Sequence, residues 1–346
     1  MTRTIFEIQG RKIGPGHRPL VIPEVGINHE GQLSKAIALV DRAIECKAEC
    51  IKFQCHITEK EMVPTNMKPG KISKERLWDI IKRCELTHEE EIKVKQYCDK
   101  KGIIYLSTPF SREAADRLDD MGVAAFKIGS GECNNYPLIE HIARKRKPII
   151  LSTGMNSISS IQKSVRLINK YKTPLILMHC VSMYPTPYSK VRLPAMVQLR
   201  EKFQLPVGLS DHSLGIYTCL AAVALGAVAL EKHFTIDRRW PGPDNPISIE
   251  PVELKELIKG SRAIAEAMIG HKEIQPEERP VIDFAYASVV TISPIRKNEI
   301  FTTDNLWVKR PGTGDFLADD FCQILGKKAS RHLTAECQLK KADVIR

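Results

Sequence analysis

The 346 residues are 43% hydrophobic and 27% charged, the mixture of an ordinary folded chain, which excludes a disordered or collagen-like polypeptide. No apolar run reaches the length of a membrane-spanning helix; the longest, Cys219–Leu230, is too short and runs into Glu231, Lys232 and His233. The net charge of +11 would suit a nucleic acid or an anionic substrate, but there is no recognition-helix, zinc-finger or aromatic-rich basic motif. Arg144–Lys147 and Lys327–Lys328 read as solvated basic surface, so neither a nucleic-acid nor a membrane partner is expected. The N-terminal residues mix Arg3, Glu7, Arg11 and Lys12 and lack a signal peptide's apolar core, so a cytoplasmic location is expected. Ten cysteines never fall in Cys-x-x-Cys pairs and read as reduced, mostly structural thiols.

In chain order, eight β-prone runs alternate with helical stretches: Leu20–Val25, Cys50–Phe53, Ile103–Ser107, Ala124–Ile128, Pro148–Ser152, Pro174–Cys180, Pro206–Leu209 and Ala227–Glu231. Helix-like periodicity marks Ser34–Lys47, Thr87–Lys101, Ser111–Met121 and Ile158–Tyr171, with a capping-box pattern at Thr87-x-x-Glu90. Eight strand–helix units over about 250 residues is the count of a (β/α)8 TIM barrel. A doubly wound sheet would want a Gly-x-Gly-x-x-Gly turn after its first strand, where this chain has Glu24-Val25-Gly26-Ile27-Asn28-His29. The barrel is expected over residues 1–270 and ends with the helical pattern Leu254–Met268. A polar linker follows over 271–284. Residues 285–346, with short strands at Ser288–Ile292 and Leu306–Lys309, then form a small, mostly β domain that is marginal alone by size.

A barrel carries its chemistry at the C-terminal ends of its strands. Here every predicted strand delivers polar groups to that rim: Glu24, Asn28 and His29; Lys52 and Gln54; Thr108; Lys127, Ser130 and Glu132; Ser152 and Thr153; Ser182 and Tyr184; Ser210 and His212; Glu231 and His233. Lys127-Ile128-Gly129-Ser130-Gly131-Glu132 reads either as a phosphate cradle or as a plain tight turn. Lys52 adds a second inward cation, and two such lysines call for an anion. His212 and His233 are 21 residues apart, one βα unit, so they fall on adjacent strand tips where two imidazoles can share a divalent metal. Among the rim acids Glu24, Glu132, Glu231 and Asp244, one is free to act as a general base, while Glu231 reads as a salt-bridge partner of Lys52 and Lys127.

The motifs resemble those of bacterial N-acetylneuraminate (sialic acid) synthases over nearly the whole chain. They are Glu24-Val25-Gly26-Ile27-Asn28-His29-Glu30-Gly31, Ser107-Thr108-Pro109-Phe110-Ser111-Arg112, Lys127 through Asn135, and Leu151-Ser152-Thr153-Gly154-Met155. Tyr184-Pro185-Thr186-Pro187, Gly208-Leu209-Ser210-Asp211-His212 and Glu231-Lys232-His233-Phe234 continue the series. Trp307-Val308-Lys309-Arg310-Pro311-Gly312 looks like that family's C-terminal antifreeze-like (SAF) domain. The resemblance implies condensation of phosphoenolpyruvate (PEP) with N-acetylmannosamine, releasing phosphate. It also implies a divalent metal, Mn2+ before Mg2+ or Co2+, and a domain-swapped homodimer.

The roles that the resemblance implies run residue by residue. Lys52, Thr108 and Ser152 hold the PEP carboxylate end, and Lys127, Ser130 and Ser210 its phosphate. His212 and His233 hold the metal; Glu24 or Glu132 manages the protons of water. Ser182, Tyr184 and Asp244 contact the sugar, with Arg310 and Phe284 contributed by the partner chain. Three positions depart from the sialic acid pattern: Ser182 and Lys71 stand where Asn is usual, and Val281 where Thr is usual. Ser182 also fits relatives that take 2,4-diacetamido-2,4,6-trideoxyhexoses and make legionaminic or pseudaminic acid, whereas Asp244 would repel a sugar phosphate. Other PEP–sugar synthases on the same barrel would leave the second domain unexplained. An ice-binding role would want a flat Thr-rich face, which this Lys-, Arg- and Asp-rich tail lacks.

Overall fold

In a computed structural model of the chain, residues 5–70 and 73–345 are described. Eight parallel strands close into a barrel: Leu20–Gly26, Cys50–Cys55, Ile104–Pro109, Phe126–Ile128, Ile149–Ser152, Leu175–Cys180, Val207–Asp211 and Ala229–His233. They are barrel strands one to eight below; strand eight pairs with strand one, Glu231 opposite Ile22 and His233 opposite Glu24. This is the expected (β/α)8 architecture. Thr87 caps the helix His88–Lys101 through a complete capping box, and Ser111 caps Arg112–Asp120. The helices Leu33–Glu45, Tyr136–Arg144, Ile158–Lys170, Pro194–Phe203, Tyr217–Ala224 and Pro251–Ala267 follow the other strands.

Alternation along the strands decides which side chains enter the barrel. Leu20, Ile22, Cys50, Ile104, Leu106, Ala125, Ile150, Ile176, Met178 and Ala229 form the inner core, whereas Val21, Val25, Ile51, Phe53, Phe126, Leu177, Leu209 and Leu230 pack outward beneath the helices. Gly208 belongs to the inner set: a Cβ there would lie 2.4 Å from Ala229 O and 2.6 Å from Met178 Sδ, so glycine lets Met178 fill the centre. An N-terminal hairpin, Phe6–Ile8 with Arg11–Ile13, adds Phe6, Ile8 and Ile13 to the same inner core. Its three-residue strands are too short for a period-two pattern to reveal. Two short helices between strand two and His88, Thr58–Glu61 and Leu77–Cys84, are likewise additions to the sequence reading.

The basic cluster Arg144–Lys147 is not simply solvated, a correction to the sequence reading: Lys145 and Lys147 each pair at 2.6 Å, with Asp116 and Asp119 on the preceding βα unit. The chain divides by its contacts into Met1–Ile269 and Gly270–Arg346. The stretch read as a linker carries a turn of 3-10 helix, Pro276–Glu278, and a short helix, Arg279–Ala285. The second unit has its own core of Val289, Ile295, Phe301, Leu306, Ile324, Ala329, Leu333 and Leu339. Two antiparallel strand pairs frame it, Ser288–Thr291 with Leu306–Lys309 and Lys328–Ala329 with Val344–Ile345.

Candidate active site at the C-terminal mouth of the barrel

The inner rows change character near the C-terminal ends of the strands. Leu20 and Ile22 give way to Glu24, Cys50 to Lys52, Ala125 to Lys127, Ile150 to Ser152, and Ala229 to Glu231 and His233. Glu24 and Lys52 are register partners, and Glu24 Oε2 lies 2.6 Å from Lys52 Nζ. Lys52 also donates to Thr108 Oγ1 at 3.1 Å and sits 3.8 Å from Glu231 Oε2. Lys127 donates to Ser152 Oγ at 2.7 Å and approaches Glu231 Oε1 to 3.6 Å. Ser210 Oγ donates to that same oxygen at 3.1 Å. Two ammonium groups and two carboxylates therefore balance in a buried ring, the arrangement that makes such charges tolerable.

The two glutamates are not equivalent. Burial pushes Glu24 up to about 7 against the opposing pull of Lys52, while for Glu231 burial is outweighed by Lys127 and Lys52, which hold its carboxyl below the usual range. Burial, only partly offset by Glu231, pulls Lys127 down; at Lys52 burial is outweighed by Glu231 and Glu24, and the ammonium form is strengthened. Glu24 is the member that can exchange a proton near neutral pH, and Glu231 is the fixed anion. Glu231 is thus the salt-bridge partner that the sequence indicates.

His212 and His233 come together with ring centroids 5.4 Å apart, and Tyr184 lies 4.1 Å from the first of them. His212 Nδ1 donates to Val181 O at 3.0 Å, so in the neutral ring Nε2 carries the lone pair; burial is outweighed by the Cys180 thiol, which holds this imidazole above its usual range until a ligand claims Nε2. His233 Nδ1 is buried with no hydrogen-bond partner among the described residues, 3.8 Å from Asp244 Oδ2. Burial and then the neighbouring His212 depress the basicity of His233 and favour its neutral form. Burial raises Asp244 to about 6. Two imidazoles with a free nitrogen each are a fit donor set for a divalent ion that keeps open positions. Among the described residues no group of three or more His, Cys, Asp or Glu side chains has metal-holding geometry, so such an ion would need substrate or water to complete its shell.

The remaining sequence candidates fall in four places, with Lys71 beyond the described residues. Ser130 Oγ accepts from Gly154 N at 3.1 Å. A Cβ on Gly154 would lie 2.5 Å from Ser182 Oγ, 2.8 Å from Ser130 Oγ and 3.1 Å from Cys180 Sγ, so glycine keeps three polar atoms facing one small space. The loop after strand four is partly the tight turn it could have been, because Glu132 N returns to Gly129 O at 3.1 Å. Glu132 itself accepts from Asn135 and makes no hydrogen bond to the mouth residues. Asn28 donates to Phe234 O and Ser248 Oγ, and Thr153 to Met178 O; these rim residues fasten loops. Phe284 and Arg310 are exposed residues of the second unit, as is Val281.

Sequence reasoning missed Cys180, His56 and Glu61. Cys180 Sγ is 3.8 Å from both His212 Nδ1 and Ser182 Oγ, although an apolar run disguises it as a core thiol. His56 extends the inward row Lys52, Gln54, and that parity was the signal that could have found it.

Comparison with known proteins identifies the family of this barrel. The NeuB family model matches residues 39–273, and the SAF domain model matches 286–345. The N,N'-diacetyllegionaminic acid synthase of Campylobacter jejuni is 38% identical over 325 residues, covering 91% of this chain and 97% of that protein. Human N-acetylneuraminate-9-phosphate synthase is 32% identical over 325 residues, covering 92% and 90%. A crystal structure of the N-acetylneuraminic acid (sialic acid) synthetase of Leptospira borgpetersenii, in complex with citrate, is 35% identical with a TM-score of 0.74, covering 81% of this chain and 95% of that one. With the family model spanning more than half of the chain and these relatives covering nearly all of it, the chain belongs to the NeuB family, whose named members here are sugar acid synthases, and it carries a C-terminal SAF domain.

Proposed function

We propose that this enzyme is a transferase that condenses PEP with an N-acetylated mannosamine-type sugar, giving a nine-carbon 2-keto sugar acid and phosphate. The observation that carries the reading is the buried ring Glu24–Lys52–Glu231–Lys127 beside the paired imidazoles of His212 and His233. Lys52 and Thr108, with Ser152 nearby, receive the carboxylate end of PEP. Lys127, Ser130 and Ser210 receive its phosphate, with Lys127 giving a charge-assisted hydrogen bond. His212 and His233 would hold a divalent ion, Mn2+ first, with Mg2+ or Co2+ as alternatives; when bound, it polarises the acceptor aldehyde.

PEP C3 then attacks the aldehyde carbon, leaving cationic character at C2. Water adds at C2 and gives up a proton that ends on the new hydroxyl formed from the aldehyde oxygen. The tetrahedral intermediate expels phosphate by C–O cleavage as its own hydroxyl proton leaves with the phosphate and the keto group forms. Of the two carboxylates named for the proton of water, Glu24 is favoured: it lies in the ring and its proton affinity is matched to neutral pH, whereas Glu132 bonds to Asn135. Tyr184 and Asp244 would contact the sugar. The reading includes a cytoplasmic, domain-swapped homodimer in which Arg310 and Phe284 of one protomer serve the other's acceptor, with no nucleic-acid or membrane partner.

N-acetylmannosamine, which would yield N-acetylneuraminate, is the first acceptor. A 2,4-diacetamido-2,4,6-trideoxy sugar is the second, and a specific observation favours it. The Ser182 side chain is shorter than the Asn usual in sialic acid synthases, which leaves more room where its Oγ faces Gly154 and Cys180. A one-pot competition tests both: purified protein with Mn2+, PEP, N-acetylmannosamine and 2,4-diacetamido-2,4,6-trideoxymannose, with products identified by mass. Dominance of either condensation product assigns the acceptor. Phosphate release without a condensed product from either sugar overturns the reaction.

A further inference from the structure

Behind Glu24 runs a buried line of side chains for which the condensation itself supplies no role. Gln54 Nε2 donates to Glu24 Oε1 at 3.0 Å, and Gln54 Oε1 lies 2.9 Å from His56 Nε2. The other ring nitrogen of His56, Nδ1, lies 3.0 and 2.9 Å from the two carboxylate oxygens of Glu61. The imidazole stacks on Phe110 with centroids 4.5 Å apart and planes 10° from parallel, which fixes its orientation. The side chains of His56 and Glu61 are 4% and 5% exposed, so water does not complete these bonds.

The hydrogen count of this line is restrictive. Neither an amide oxygen nor a carboxylate has a hydrogen to give, so both ring nitrogens of His56 must donate, and the ring that does so is the imidazolium. If His56 carried one proton, on Nδ1 toward Glu61, then Nε2 would become an acceptor. The Gln54 amide would turn its NH2 toward the ring and its carbonyl oxygen toward Glu24, setting two acceptors face to face whenever Glu24 is ionised, the form that takes a proton from water.

We propose that His56, clamped as an imidazolium by Glu61, is a positioning residue that locks the Gln54 amide with its NH2 toward Glu24. Glu24 Oε1 is thereby occupied, and Oε2 is left to Lys52 and the reacting groups. The inference deepens the proposed reaction and rests on it only for the role of Glu24. Other titratable groups lie around the ring of His56. Glu91, itself paired with Arg117 at 3.0 Å, and Asp244 are the other carboxylates within its electrostatic reach. The nearby His29 is held neutral, because burial and then the charge of His56 push it down to about 4. Glu61 in turn faces Glu132 and adds to the burial that raises that carboxyl.

The test is ring-nitrogen NMR of the full-length protein labelled with 15N-histidine at pH 7, with His56 assigned by loss of its signal in His56→Gln. Both ring nitrogens of His56 should bear protons in the wild type, and one should lose its proton in Glu61→Gln. Steady-state kinetics of phosphate release with Mn2+, PEP and whichever of the two sugars the competition selects supply the second arm. Glu61→Gln should lower kcat on the order of tenfold, the equivalent of one charge-assisted hydrogen bond. The KM for PEP should change less than twofold, and Glu61→Asp should recover part of the loss. An unprotonated ring nitrogen on wild-type His56 overturns the clamp. A Glu61→Gln protein that is folded, has a neutral His56 and keeps its kcat overturns the positioning role. The spectrum reads the clamp even where no sugar condenses, so failure of the proposed reaction is seen separately.

Discussion

Two clusters of buried charge occupy neighbouring positions on the same strands. Lys232 and Asp211 pair at 2.6 Å with side-chain exposures of 0% and 1%. Asp211 accepts from Ser213 N and Oγ and from Thr218 Oγ1, and Lys232 donates again to Ser213 O. Among the described residues no polar atom of this group lacks a partner. One residue away on each strand, the ring at the mouth leaves Glu231 Oε2 without a hydrogen bond, and His233 Nδ1 beside it has none either. Charge and burial are shared by the two clusters; satisfaction is not. A saturated cluster fixes a fold, and an unsaturated one is shaped for something that arrives.

Removing metal should have the largest effect. A chelator should abolish turnover, and adding Mn2+ back should restore it. Mn2+ should raise the Tm of the wild type but not of His233→Ala, since an ion that binds only the native state stabilises it by mass action. A chelated enzyme with full activity would break the assignment of the histidines. Next comes Lys232→Met, which strands Asp211 in the outer layer. The expected loss is about 3–5 kcal/mol in urea denaturation, and combining it with Asp211→Leu should return part of that loss. Lys127→Met should invert the pattern: kcat/KM for PEP falls on the order of a hundredfold. The stability cost is smaller, because Glu231 keeps Lys52 and Ser210. Equal stability losses for the two lysines would erase the distinction between the clusters.

The smallest effect concerns pH. Glu24 is pushed from an ordinary 4.5 to about 7, so the folded state holds this proton more tightly than the unfolded one. Its contribution to stability is therefore fully present below pH 4.5 and is lost as the pH rises through 4.5 to about 7. In a denaturation series over that window, Glu24→Gln should flatten this part of the slope; an unchanged slope would show that another group carries it.

Much of this was legible in the residues. The eight strand–helix units and the rim set of Glu24, Lys52, Lys127, Ser152, Ser210, His212, Glu231 and His233 follow from composition and from a period of two, and the cap at Thr87 from its Thr-x-x-Glu spacing. The hairpin at Phe6–Ile13 was not legible, because three residues cannot display a period. Glu132 was placed at the rim by its distance from a strand, yet a loop side chain is aimed by its turn, and this one bonds Asn135.

The sequence by itself determined the architecture and most of the strand-borne groups at the mouth, because strand alternation and the rule that barrels work at their C-terminal ends are local regularities. Only the tertiary structure decided how those groups divide their labour. Closing the barrel puts Glu24 beside Lys52 and His233 and brings Lys127 toward Glu231. Proton affinities and free lone pairs depend on those distances across the barrel, which no single stretch of the chain contains.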